Sequence, residues 1–143
     1  MAETREERLR RFFQQYAKAS LGGDAAAMAS AYASFYIESS PDTFAVWKVD
    51  DAYRAGLTDR HGVMKEHLGL SALEVDVRAI EEAAPSHFLV AADWRMTFAR
   101  ARTGHVTSRF QVTYIVKTQP EPKILACLSH ASQEAVLRRD GVI

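Results

Sequence analysis

The spacing of apolar residues along the chain changes from a helical period to strict alternation. Between Arg5 and Ser20 the apolar residues recur every three or four positions, which is typical of a helix with one buried face. From Leu73 onwards apolar and polar residues alternate, as they do in strands with one buried face. The first half of the chain is therefore predicted to be largely helical and the second half to form a sheet.

Capping and turn residues delimit the individual elements. Helices are predicted over residues 5–20, over 25–34 after Asp24 as N-cap, and from Asp50 or Asp51 to about residue 61 or 67. The strands are predicted at 36–38, 43–49, 73–80, 88–101, 106–117 and 124–130, with a last helical turn at 133–139. Helices followed by long antiparallel strands predict an α+β fold, as a single domain over residues 1–143.

The register of the two longest strands can be predicted from the side chains that share a face. A two-residue loop at Thr103-Gly104 would pair Trp94 with Thr113 and mix apolar with polar side chains on both faces. A loop of three residues, Thr103-Gly104-His105, or one of five, keeps the faces separate. We predict the three-residue loop, which pairs Trp94 with Tyr114.

This register gives the sheet one apolar face and one polar face. Because the helices can cover only the apolar face, any small-molecule pocket is predicted to open between that face and the first helices. The polar face is predicted to carry Asp93, Arg95, Thr97, Arg109, Gln111 and Thr113.

Composition narrows the classes of function. The chain has 143 residues, of which 48% are apolar, and its 18 Lys and Arg balance its 18 Asp and Glu. It thus lacks the charge bias of a nucleic-acid or membrane binder. No apolar run reaches the length of a membrane span, and the N-terminus is too charged for a secretory signal, so a cytoplasmic location is predicted. The lone Cys127 is predicted to be buried and inert, and the histidine spacings predict no metal site and no cofactor.

The order of the elements carries a resemblance over about residues 5–131. Two or three N-terminal helices precede long strands that contain Trp94 and then Tyr114-Ile115-Val116. This arrangement resembles the nuclear-transport-factor-2-like (NTF2-like, or SnoaL-like) superfamily, although Pro122-Lys123-Ile124 stands where members often have Gly-x-Trp-Lys-Ile. The resemblance implies a cystatin-like cone of helices on a long, curved, antiparallel or mixed sheet. It also implies a pocket and, commonly, a homodimer, but no particular reaction.

Aromatic residues with polar tips are the candidates for a ligand site. In a cone, tyrosine hydroxyls can point at a ligand carbonyl, as in the oxyanion hole of the ketosteroid isomerases. No Asp is predicted on the inner face of the long strands, which favours core packing or simple binding over isomerase chemistry. The predicted ligand-binding residues are Tyr16, Tyr32, Tyr36, Trp47, Trp94, Met96 and Phe110.

His130 and a tyrosine, Tyr114 or Tyr36, are the candidates for catalysis. His130 closes the last strand, on the face shared by Ile124, Ala126 and Leu128. A histidine at the mouth of an apolar pocket can act as a general acid or base. The alternative for His130 is a hydrogen-bonded residue at a strand end.

Asp93 and Arg95 share the polar face. Their spacing is similar to the Arg-x-Asp pair of limonene epoxide hydrolases, but the order is reversed and the second carboxylate is missing. An ion pair on the sheet surface or at a dimer interface is the preferred interpretation. A homodimer is predicted through this face, with Arg95, Arg109 and Gln111 at the interface.

Two hypotheses about function stay open. In the first, the chain is a non-catalytic homodimeric domain whose cone binds a small hydrophobic molecule or is filled by its own aromatic residues. In the second, it is a small acid–base enzyme of the isomerase, dehydratase or cyclase type that acts on a hydrophobic carbonyl compound. Neither hypothesis includes a nucleic acid or a membrane as a partner.

Overall fold

The computed structural model of the chain describes residues 2–100, 102 and 104–143. Within these residues a π-helical turn, Val63–His67, directly follows the helix Asp51–Gly62. The helices and strands, in chain order, are α1 (Arg5–Gly22), α2 (Ala25–Ser30), β1 (Tyr32–Ser39), β2 (Phe44–Lys48), α3 (Asp51–Gly62), β3 (Leu70–Ala84), β4 (His87–Arg100), β5 (Gly104–Lys117), β6 (Lys123–Ser129) and α4 (Gln133–Arg139). None of the described helices is long and apolar enough to cross a membrane.

The strands form one curved, mixed sheet in the order β2-β1-β6-β5-β4-β3. All neighbouring strands are antiparallel except β1 and β6, which run parallel. Helix α1 packs on one face of the sheet, here called the inner face, through a stripe formed by Leu9, Phe13 and Ala17. The prediction of an α+β fold, with N-terminal helices on a long curved sheet, is confirmed.

The even-numbered residues of β4 build the inner face, as the alternation predicts. Those from Phe88 to Trp94 pack in one cluster with α1, and Met96 and Phe98 pack in a second cluster with Met64 and Leu137. The odd-numbered residues of the same strand lie on the opposite, outer face. The buried residues of β4 are Phe88, Val90, Ala92, Trp94, Met96 and Phe98.

The register of β4 and β5 differs from the predicted one. Trp94 lies opposite Phe110, so the predicted pairing with Tyr114 is wrong by four residues. Arg100 pairs with Gly104, so Gly104 and His105 lie in β5 and not in the predicted loop of residues 103–105. Gly104, the first residue of β5, has φ 80°. Because the register differs by an even number of residues, each side chain still lies on its predicted face of the sheet. Thr103, which belongs to the predicted loop, lies outside the described residues.

Helix α2 ends earlier than predicted. It stops at Ser30, and residues 32–39 form β1, so residues 32–34 lie in a strand and not in the predicted helix. Tyr, Phe and Ile favour a strand, and they recur closely in this segment. Although α2 begins with alanines, which favour a helix, the helix does not extend into this segment.

A β-bulge in β6 changes which of its side chains point inward. Ile124 pairs with Val116, but Ala126 pairs with the adjacent Ile115, so Leu125 is an extra residue in the strand. An extra residue reverses the alternation of all the side chains that follow it.

The bulge explains why the predicted position of His130 is wrong. Beyond the bulge Cys127 is buried on the inner side, opposite Tyr114, while Leu128 is exposed. His130 is exposed, and its backbone N–H donates to the carbonyl oxygen of Gln111 at 3.1 Å. It therefore corresponds to the alternative interpretation, a hydrogen-bonded residue at the strand end.

The turn between α1 and α2 requires glycine at position 23. Gly23 has φ 70°, and a Cβ there would lie 2.5 Å from Nδ1 of His61. The His61 ring is itself fixed, because its Nε2 contacts the carbonyl oxygen of Leu21 at 2.9 Å. In contrast, a Cβ at the adjacent Gly22 would meet nothing within 4 Å.

We predict that Gly23→Ala lowers the free energy of unfolding by more than about 1 kcal/mol, because the left-handed backbone and the His61 ring both oppose a side chain. The matched variant Gly22→Ala should raise it by about 0.5–1 kcal/mol, since alanine is the better helix former. Urea unfolding of both variants measures this, and equal effects of the two substitutions would contradict it.

Candidate functional site

A cavity of about 450 Å³ opens between the inner face of the sheet and helices α1 and α3. The volume is in the range of small-molecule sites. All five tyrosines of the chain line it: Tyr16 from α1, Tyr32 and Tyr36 from β1, Tyr53 from α3 and Tyr114 from β5. Trp94, Met96 and Phe110 also line this cavity.

The aromatic rings form a continuous wall. Tyr32 and Tyr36 stack with their ring centroids 4.1 Å apart, and Tyr16 meets Trp94 edge-on at 6.0 Å. Trp94 in turn stacks on Phe110 at 6.2 Å. Side chains that pack on one another in this way hold their rotamers, so the wall is rigid compared with one built from aliphatic side chains.

The polar tips of these residues bond to one another in pairs. The hydroxyls of Tyr16 and Tyr32 form a hydrogen bond, and those of Tyr36 and Tyr53 form another at 2.6 Å. Asp50 helps to place Tyr53, because its carboxylate caps α3 by accepting from the Tyr53 backbone N–H at 2.9 Å.

Tyr114 has the clearest free donor. The indole N–H of Trp94 donates to the Tyr114 hydroxyl oxygen at 2.9 Å, so the hydroxyl keeps its own hydrogen. Each tyrosine pair likewise uses one hydroxyl hydrogen and leaves one. Among the described residues, the one further hydrogen-bond contact of these hydroxyls is the Cys127 thiol, 4.0 Å from that of Tyr32, and a thiol is a weak donor and acceptor. The cavity thus presents three O–H donors to an occupant.

Burial keeps these hydroxyls protonated. Loss of hydration is the largest cause that raises the pKa of Tyr16, Tyr32, Tyr36, Tyr53 and Tyr114. A phenolate in this apolar cavity would lose its water, whereas the neutral phenol loses little. The five tyrosines therefore act as neutral donors and acceptors throughout the physiological pH range.

Cys127 lies in the same cavity, where the bulge of β6 turns it inward. Its Sγ is 4.0 Å from the Tyr32 hydroxyl, and burial raises the pKa of the thiol to about 12. Since the thiolate is the reactive form, Cys127 is a packing group and not a nucleophile.

The rim of the cavity carries charged side chains. Glu38, Asp42 and Glu134 are its carboxylates, and Arg60 is a guanidinium on the same lining. Glu38 was missed in the search for carboxylates, which considered Asp on the long strands of the second half. It lies two residues after Tyr36 in β1, so alternation alone places the two side chains on one face.

The structure brings together most of the predicted ligand-binding residues but not all. Tyr16, Tyr32, Tyr36, Trp94, Met96, Phe110 and Tyr114 line the cavity; their role in binding stays a prediction. Trp47 is 42% exposed and packs beside Tyr53, with ring centroids 5.9 Å apart, but does not line the cavity. His130 is exposed beyond the end of β6 and lies outside the cavity lining.

Asp93 and Arg95 each bind a residue of β3 and not each other. Asp93 is 3.3 Å from Arg78, and Arg95 is 2.7 Å from Glu74. These are cross-strand pairs on the sheet surface, so the predicted ion pair between Asp93 and Arg95 is wrong in its partners. Within residues 2–100, 102 and 104–143, no group of three or more His, Cys, Asp or Glu is arranged to hold a metal ion.

Solved structures share this fold. An NTF-2-like protein of unknown function from Shewanella oneidensis matches with a TM-score of 0.69 and 17% identity, over 89% of this chain and 99% of its own. A ketosteroid isomerase-like protein from Erwinia carotovora atroseptica matches with a TM-score of 0.61 and 13% identity, over 89% of this chain and 97% of its own. A domain with a cystatin-like fold from Nostoc punctiforme matches with a TM-score of 0.65 and 16% identity, over 99% of this chain and 86% of its own.

These similarities define the fold of the chain and leave its function open. The chain has the NTF2-like, cystatin-like fold, as the resemblance in sequence implied. No protein-family model matches the chain, and no curated protein matches it. Function must therefore be argued from the cavity.

We predict that the tyrosines ionise only when the protein unfolds. The unfolded chain loses its tyrosine protons near pH 10, whereas the folded chain keeps them. The folded state therefore binds more protons at high pH, and the free energy of unfolding falls as the pH rises above about 10. Absorbance at 295 nm, which reports phenolate, should stay flat until the circular dichroism signal is lost.

Phe44→Tyr provides the matched control for this titration. Phe44 is 70% exposed, so a tyrosine there should ionise near pH 10 and add one normal step to the curve. A step near pH 10 in the wild-type protein, with the circular dichroism intact, would show that at least one native tyrosine is in contact with water.

Proposed function

We propose that the cavity binds a small, mostly apolar, uncharged molecule through a carbonyl or similar acceptor group, and that the chain acts as a homodimer. The observation that supports the ligand is the set of three unused hydroxyl hydrogens inside an aromatic cavity. An acceptor atom on the ligand would satisfy donors that are costly to leave unpaired when water is displaced. The predicted cytoplasmic location, without nucleic-acid or membrane partners, stays a prediction.

The charges at the rim disfavour an anionic ligand. An anion would meet the carboxylates of Glu38, Asp42 and Glu134, with only the Arg60 guanidinium to attract it. The oxygen of a neutral carbonyl compound avoids this repulsion and can accept from the hydroxyls.

The position of Glu38 favours a second function, acid–base catalysis. Its carboxylate lines the same cavity as the Tyr114 hydroxyl. As an alternative, we propose that Glu38 removes a proton from the carbon next to the ligand carbonyl and returns it to another carbon. The Tyr114 O–H would donate to the oxygen on which negative charge develops. His130, exposed beyond the end of β6, takes no part in this step.

The first prediction concerns the carbonyl group. We expect 2-acetylnaphthalene to bind and to quench the fluorescence of Trp94, measured in a Trp47→Phe background that leaves one tryptophan. Tyr114→Phe should weaken binding of this ketone about 5- to 10-fold, which corresponds to the loss of one hydrogen bond. The hydrocarbon 2-ethylnaphthalene, which has no acceptor, should bind both proteins equally.

The hydrocarbon also controls for damage to the cavity, because Tyr114→Phe removes the acceptor of the Trp94 N–H. Equal weakening of the ketone and the hydrocarbon would mean that Tyr114 only shapes the cavity. Failure of both compounds to bind the wild-type background would contradict the proposed ligand class.

The second prediction separates binding from catalysis. If Glu38 is a base, the methyl hydrogens of 2-acetylnaphthalene will exchange with D₂O faster in the presence of the protein than in buffer, as followed by NMR. Glu38→Gln should abolish this acceleration and leave binding of the ketone nearly unchanged. Exchange at the rate of the buffer, with the ketone bound, would refute the catalytic alternative and leave the binding function in place.

A further inference from the structure

A groove of about 400 Å³ lies between α1, the end of α2 and the start of β6, and we call it the helical groove. Its volume is in the range of small-molecule sites. Among the described residues, Tyr16 is the one that lines both this groove and the tyrosine-lined cavity. The helical groove is therefore next to the cavity but has a lining of its own.

Part of the lining of the helical groove is apolar. Phe12, Tyr16 and Ala19 recur at helical spacing on one face of α1, and Pro122 contributes from the segment just before β6. The Phe12 ring packs edge-on against Phe13, with ring centroids 5.1 Å apart. An aromatic or branched apolar group in the groove would be buried against these side chains.

The polar part of the lining is mostly basic. Arg8, Arg11 and Lys123 line the groove, and Glu121 is a carboxylate on the same lining. Arg8 and Arg11 are three residues apart in α1, so they lie on one face of the helix. The cavity has the opposite bias, with three carboxylates and the Arg60 guanidinium at its rim. The two sites therefore favour ligands of different charge.

Two of the three cations of the groove already have a carboxylate partner. Arg11 is 2.7 Å from Glu3, and Lys123 is 3.3 Å from Glu121. Arg8 is half-buried, and its guanidinium makes no hydrogen bond or ion pair with the residues that the structure describes. The groove thus holds one cation without a partner, which a monoanion would balance.

We propose that the helical groove binds a small organic carboxylate whose apolar part is aromatic or branched. The planar guanidinium of Arg8 can donate two parallel hydrogen bonds to a carboxylate, while the apolar part lies against the rings of Phe12 and Tyr16. A phosphate monoester, which carries close to two charges at pH 7, fits this single cation less well. The inference goes beyond the proposed function and holds whatever the cavity binds.

Calorimetric titration with 2-naphthoate tests the inference on the full chain. This probe replaces the acetyl group of 2-acetylnaphthalene by a carboxylate, and we expect it to bind the wild-type protein. Arg8→Gln should weaken binding about 10-fold or more, because it removes hydrogen bonds between charged groups. The matched control Lys18→Gln removes a positive charge from an exposed position on the same helix outside the groove, and should leave binding unchanged.

Neutral 2-naphthamide shows whether the charge of the ligand is recognised, because Arg8→Gln should not change its binding. A wild-type protein that does not bind 2-naphthoate would overturn the inference, as would equal effects of Arg8→Gln and Lys18→Gln. If Arg8→Gln does not fold, Arg8→Lys replaces it, since lysine keeps the charge but loses the two-pronged contact. This variant should bind several-fold more weakly, and an unchanged dissociation constant would contradict the proposed contact.

NMR spectra of the backbone amides locate the bound carboxylate. The amides of Gln15, Ala27 and Lys123, which line the groove and not the cavity, should shift on addition of 2-naphthoate. Shifts confined to Val112 and Ser129, which line only the cavity, would overturn the inference.

The same titration separates this inference from the proposed ligand site. Protein saturated with 2-acetylnaphthalene should still bind 2-naphthoate, and competition between the two would overturn the groove as a second site. If 2-acetylnaphthalene does not bind but 2-naphthoate shifts the groove amides, only the proposed ligand class of the cavity fails.

Discussion

Hydroxyl groups inside an apolar cavity must find hydrogen-bond partners, and in this protein they find one another. The Tyr16–Tyr32 pair ties α1 to β1, the Tyr36–Tyr53 pair ties β1 to α3, and Trp94 and Tyr114 link the adjacent strands β4 and β5. These contacts position the walls of the cavity while they satisfy most of its polar atoms. In the proposed function, the hydroxyl hydrogens that these contacts leave unused select a ligand with an acceptor group, because burial keeps the tyrosines protonated.

The sequence was sufficient to predict on which face of the sheet each side chain of β4 and β5 lies. The faces of β4 and β5 were predicted correctly although their register was not, because a shift by an even number of residues keeps each side chain on its face. His130 was misplaced because Leu125 is a single extra residue in β6, and no sequence signal marks it as a bulge. Glu38 was within reach of the same alternation that places Tyr36, because both lie in the predicted strand 36–38, but only aspartates were considered as carboxylates of the pocket.

Strand β1 carries cavity-lining side chains on one face and exposed apolar side chains on the other. Its successive residues Phe35, Tyr36 and Ile37 are all apolar or aromatic, which is unusual for a strand at the surface and typical of one covered on both faces. The structure covers Tyr36 with the cavity wall and leaves Phe35 and Ile37 exposed.

A crystal structure of the protein soaked with 2-acetylnaphthalene tests the role of the free hydroxyls most directly. If the unused hydroxyl hydrogens define the site, the ketone will lie in the cavity with its oxygen about 2.6–3.0 Å from the Tyr114 hydroxyl or from one of the tyrosine pairs. A ketone oxygen that points to solvent, with the naphthalene ring against the tyrosines, would contradict this. So would a cavity closed by its own aromatic side chains.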